Sequence, residues 1–122
     1  MQFLTQFQPP DELDMLERGF ELDDAHDPEE CVLAYKRTYS DAFELRVQFN
    51  IGHPSSIKAS ITCAGRCISE TVAEGVLVIE FQSWHGDGVI RARFDKSFDG
   101  NDIRVHYRPE PAIHFASLQH DA

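Results

Sequence analysis

Between Phe43 and Ile51 every second residue is apolar: Phe43, Leu45, Val47, Phe49 and Ile51 alternate with Glu44, Arg46, Gln48 and Asn50. A period of two is that of a strand, whose successive side chains leave opposite faces, so this run buries one face and wets the other. A helix would scatter the same five residues around its circumference. The pattern recurs. Ile57, Ala59, Ile61 and Cys63 repeat it, as do Ile90, Ala92 and Phe94 against Arg91, Arg93 and Asp95, and Ile103, Val105 and Tyr107 against Arg104, His106 and Arg108. The run from Val76 to Phe81 is more continuously apolar, which reads as a central strand. Turn-forming clusters separate these runs: Gly52-His-Pro-Ser-Ser56, Ala64-Gly-Arg66, His85-Gly-Asp-Gly88 and Asp99-Gly-Asn-Asp102. About seven strands on short connections predict a mainly β, α+β fold: an antiparallel meander curled into a sandwich or open barrel.

The first quarter is different in kind. Residues 1–30 hold ten acids and one base, Arg18, whereas residues 31–122 hold 11 acids against 10 bases. Almost all of the net charge of -10 therefore lies in the first thirty residues. Pro9-Pro10 blocks an earlier helix, Asp11 is placed to accept from the orphan amides of a first turn, and Gly19 suits a C-terminal stop, so one short N-terminal helix is predicted. Leu13, Leu16 and Phe20 give it an apolar stripe. Phe3, Leu4 and Phe7 are assigned to a first strand or an anchoring arm. A chain of 122 residues is one domain's worth, with an acidic helical arm over 1–30 and an antiparallel β core over 31–122.

Charge and composition narrow the function classes. A strong negative balance opposes binding to nucleic acid or an anionic membrane, because either polyanion is repelled at long range. No apolar run approaches the roughly 18 residues of a membrane span. The first residues lack the basic and apolar blocks of a secretory signal. Three cysteines, Cys31, Cys63 and Cys67, are too few and odd in number for a disulfide scaffold, so a reducing compartment, the cytoplasm, is the expectation. No cofactor loop or metal motif is present, and neither cofactor nor metal is expected.

Several constellations carry possible chemistry. Cys63 and Cys67 flank a tight turn, where a disulfide is one reading and ordinary half-buried thiols the other. His85 and Asp87 sit at a glycine-rich connection that suits a general base, although a hairpin turn demands the same residue types. The six histidines, at 26, 53, 85, 106, 114 and 120, form no metal spacing, but His106 and His114 would meet if their strands paired favourably, as a small hydrolase would require. Arg91, Arg93, Arg104, His106 and Arg108 are placed by the period of two on one polar face of a hairpin turning at Ser97 to Asp102. They make a basic patch able to take an anion or a partner's carboxylates, or a solvated face with counter-charge from Asp95 or the acidic quarter. Glu17, Glu21, Asp23, Asp24, Asp27, Glu29 and Glu30 are either a solubilising loop or a surface that attracts a basic protein.

A strand-rich scaffold of this length, with a concentrated acidic face and neither catalytic motif nor cofactor loop, resembles the immunity proteins of bacterial contact-dependent inhibition and related polymorphic toxin systems. The resemblance is one of general character over the whole chain. It implies function by tight binding, with a cognate toxin domain, often a basic nuclease, as partner and no enzymatic activity. A small ligand-binding β-barrel, or a hydrolase using His106 and His114 or His85 and Asp87, is the alternative.

Overall fold

Each run of period two becomes a strand, and the strands form two antiparallel meanders in the computed structural model, which describes residues 8–39, 42–52, 54–94 and 102–116. After a short helix α1 (Glu12–Glu17), the first sheet takes β1 (Glu21–Leu22), β2 (Val32–Thr38), β3 (Phe43–Asn50), β4 (Ser56–Cys63) and β5 (Arg66–Glu74) in chain order. The second takes β6 (Val76–Trp84), β7 (Asp87–Phe94), β8 (Asp102–Arg108) and β9 (Ala112–Ala116). The two sheets are separate and do not close into a barrel. No helix among the described residues is long and apolar enough to cross a membrane.

The alternation decides which face is buried. Leu45, Val47 and Phe49 of β3 pair in register with Ile61, Ala59 and Ile57 of β4, and all six are buried. Ile90 and Ala92 of β7 pair with Val105 and Ile103 of β8, and these four join the same core. One cluster thus draws on both sheets, which is the packing of a sandwich. The Tyr39 hydroxyl, just past β2, donates to the carbonyl of Tyr107 in β8 at 2.6 Å and ties the sheets at that end.

Three local expectations change. The apolar run from Val76 to Phe81 is an edge strand, not a central one. A bulge between Val76 and Val78 lets Val76, Ile79 and Phe81 all meet the core, and the Arg18 guanidinium covers Phe81 at 3.8 Å from the ring centroid. In α1 the anchor is Met15, fully buried, whereas Leu13 and Leu16 are 62% and 41% exposed. A six-residue helix held at one point does not need a stripe, and Phe20 enters the core from beyond Gly19, outside the helix. Asp11 takes the extended N-cap conformation without a side-chain capping bond.

Two glycines are dictated by neighbours. Gly19 has φ of +92°, and a Cβ there would overlap the Arg37 guanidinium, which donates to the Arg18 carbonyl. Gly88 lies against the buried Tyr107 ring, so close that a Cβ would fall 2.6 Å from Cζ. The predicted turn from His85 to Gly88 is thereby divided. His85 and Gly86, with φ of +55° and +84°, make the two-residue hairpin turn, while Asp87 and Gly88 belong to β7. The predicted first strand around Phe3 and most of the turn at Ser97 to Asp102 fall outside the described residues.

Candidate partner-binding surfaces

The acidic quarter is stitched to the first sheet by its own backbone. Glu21 pairs with Lys36 across β1 and β2, and Asp27 forms a bridge to Val32 through bonds of 2.8 and 3.0 Å. Between them, His26 Nδ1 accepts the Ala34 amide at 3.0 Å. This geometry presents Glu21, Asp24, Asp27, Glu29 and Glu30 as exposed carboxylates on an anchored edge, with exposed Glu17 before them at the end of α1. Asp23 differs from the rest. It is only 9% exposed, accepts the Asp24 amide at 2.9 Å, and pairs with Arg46 at 3.3 Å. Exposed Leu13 and Leu16 lie one turn apart on α1, just before this edge.

Asp23 also walls a concavity of about 430 Å³ on the outer face of the first sheet. Its floor holds Ser60, and its rim holds Glu44, Arg46, Lys58 and Glu70. Arg46 is bound to Glu44 at 3.0 Å, and Lys58 faces Glu70 at 3.6 Å. The hydrogen bond that Arg46 donates to Glu44, with the charges of Asp23 and Asp24 added, holds the Arg46 pKa above its ordinary value against a smaller opposing effect of burial. Cys67 lines this outer concavity, whereas Cys63 pairs with Phe43 on the inward side of β4. Cys67 instead lies opposite Thr62, and none of Cys31, Cys63 and Cys67 is in a disulfide.

The basic residues assemble on the outer face of the second sheet. One row runs straight across four strands, from Glu80 through Arg91 and Arg104 to His114. In the next row Arg93 stands opposite Asp102. The counter-charges come from the sheet itself: Glu80 reaches Arg93 at 3.3 Å and Arg91 at 3.9 Å, while Asp102 Oδ2 accepts from Nε of Arg91 and lies 3.4 Å from Nε of Arg104. Asp95 falls outside the described residues. Sequence reasoning missed Glu80 and Asp102, although Asp102 has the parity of Arg104 and so was assignable to the same face. Arg108 lies at the far end of β8 and donates to Ser83 Oγ at 3.1 Å.

His106 and His114 do meet, with ring centroids 5.0 Å apart and planes at 79°. Burial chiefly, then the neighbouring His114 and Arg104, lower the His106 pKa, while Asp87 acts in the opposite sense. His85 is exposed in its turn, and its neighbour Asp87 pairs in register with Trp84. Among the described residues no three His, Cys, Asp or Glu side chains gather as a metal-binding group. A second concavity, of about 520 Å³, opens between the sheets near Tyr39, Phe43, Ile61 and Ile68. Its walls are mainly apolar, completed by Pro109 and Pro111.

No family model matches the sequence, and no curated protein matches it. The fold, however, is similar to that of a chain in a solved contact-dependent growth inhibition toxin–immunity protein complex from Klebsiella pneumoniae 342, at TM-score 0.77 and 15% sequence identity. The match covers 92% of this chain and 97% of that one, so the whole architecture of two meanders is shared with a chain of a toxin–immunity pair, in agreement with the resemblance drawn from the sequence.

Proposed function

We propose that this chain is an immunity protein that binds a cognate bacterial toxin domain in the cytoplasm and neutralises it by surface contact, without enzymatic activity of its own. The single observation that carries the reading is the near-complete likeness of fold to a chain of a contact-dependent growth inhibition toxin–immunity protein complex. The anchored acidic edge supports a basic partner, such as a nuclease. Five exposed carboxylates on a backbone held at both ends create a field that speeds encounter, and an ordered surface loses little entropy when it docks. Leu13 and Leu16 supply exposed apolar area beside that edge, as interface anchors do.

The deciding experiment is capture on the tagged chain at high salt, followed by co-expression. A retained basic protein that halts growth alone and is harmless with this chain is the expected result. Growth arrest by this chain itself would place it on the toxin side of such a pair. The ring contact of His106 and His114 favours a second reading, a small hydrolase working by general acid and base. Phosphodiester turnover that disappears in His114→Gln would select it.

A further inference from the structure

Arg91 and Arg104 stand directly opposite each other on β7 and β8, a like-charge pair that a sheet tolerates only with compensation. The compensation is Asp102, whose side chain is 2% exposed and lies against Nε of both. A guanidinium has five donors, so a carboxylate held at Nε leaves N–H groups of the terminal nitrogens for a further acceptor. The side chains of Arg104 and Arg93 remain 46% and 52% exposed. His114 is the cross-strand neighbour of Arg104, and His106 is in contact with His114. Three arginines thus share two carboxylates, and only one of the two, Asp102, is buried.

We infer that this outer face of the second sheet is a binding site for a phosphate-type oxyanion, received by the Nη groups of Arg91 and Arg104 with Arg93 and His114 at its margins. Asp102 is the positioning residue. It fixes two forks side by side, so their repulsion is already offset before a ligand arrives. The acidic edge belongs to the other sheet. At physiological ionic strength charges are screened over about 8 Å, so the local arginines, and not the net charge of the chain, set the field at this face. Burial is the main cause of the lowered His106 pKa, and His114 and Arg104 act in the same sense against Asp87. Glu80 is the internal competitor, since it holds Arg93 and approaches Arg91. The site does not depend on toxin binding.

Inorganic phosphate and adenosine monophosphate are the probes, titrated at constant ionic strength against chloride while the arginine Nε–H and histidine ring signals are followed by NMR. Saturable shifts at Arg91, Arg104 and His114 are expected. Arg104→Gln should remove the saturable part with the backbone amide spectrum otherwise preserved, and Glu80→Gln should tighten binding severalfold by freeing Arg91 and Arg93. Equal affinity for the two probes identifies the oxyanion alone as what is recognised, and tighter binding of the nucleotide identifies a phosphoryl group carried on a larger ligand that makes contacts of its own. Shifts that match those of chloride, or that persist unchanged in Arg104→Gln, would overturn the assignment.

Discussion

Arg46 and Gln48 are neighbours on the wet face of β3, and their alternation with Val47 makes them look interchangeable. Their partners separate them. Arg46 neutralises the buried Asp23 at 3.3 Å and Glu44 at 3.0 Å, whereas Gln48 donates to the exposed Asn50 side-chain oxygen at 2.9 Å. Arg46→Gln should therefore destabilise the fold by about 1–2 kcal/mol, less than a fully buried pair because Arg46 is itself partly exposed. Gln48→Ala should change stability by less than about 0.5 kcal/mol. Urea unfolding of both variants checks this, and equal losses would refute the ion pair's role. The distinction was not legible in the sequence, because Asp23 is remote from Arg46 along the chain and nothing local marks it as buried.

His106 carries a pH signature at the same scale. Its folded pKa lies below the ordinary value of about 6.5 through burial first and His114 second. The unfolded chain therefore binds this proton first as pH falls. The stability contributed by neutral His106 is complete above the unfolded value and is lost as pH drops through the folded one. NMR titration of the ring should give a midpoint below 6.5. His114→Gln should raise that midpoint part of the way back, with burial keeping the remainder. An unchanged midpoint would show that the two rings do not interact electrically.

At the scale of elements, what could be read was whatever alternates strongly. β3, β4, β7 and β8 place large apolar residues at every second position, and all four are strands with that face in the core. β5 was not legible. Its half-buried positions are Ser69, Thr71 and Ala73, too small and polar to mark a face, while Ile68 and Val72 are more than half exposed. β6 was legible as a strand but not as an edge, because a bulge and the Arg18 side chain bury apolar residues that alternation alone would leave wet. The register itself is testable. Val47→Asp would bury a carboxylate among Tyr35, Ala59 and their neighbours, and should abolish the cooperative unfolding transition in calorimetry. Gln48→Glu, one residue on, should leave a transition close to wild type.

The whole molecule separates its charge by sheet, with exposed carboxylates along the edge of the first and arginines gathered on the outer face of the second. Composition revealed the acidic excess but not its presentation. A solubilising loop and an anchored edge have the same residues, and only the backbone bonds to β2 tell them apart. Asp23 must be left intact in any test of that edge, since its charge is committed to Arg46. Replacing Glu21, Asp24, Asp27, Glu29 and Glu30 by their amides should keep the melting transition while slowing association with a basic toxin domain. The effect is on encounter, because a cluster of exposed like charges acts at long range and is screened over about 10 Å at ordinary salt. The wild-type on-rate should accordingly fall as salt rises, and the amide variant should lose most of that dependence, with the off-rate little changed. Leu13→Ala with Leu16→Ala should do the opposite, raising the off-rate and sparing the salt dependence, because apolar contacts form only after docking. Stopped-flow association at several salt concentrations separates the two sets of variants. Identical on-rates for wild type and the amide variant at low salt would remove the acidic edge as the contact surface and leave the arginine face of the second sheet as the surface to test next.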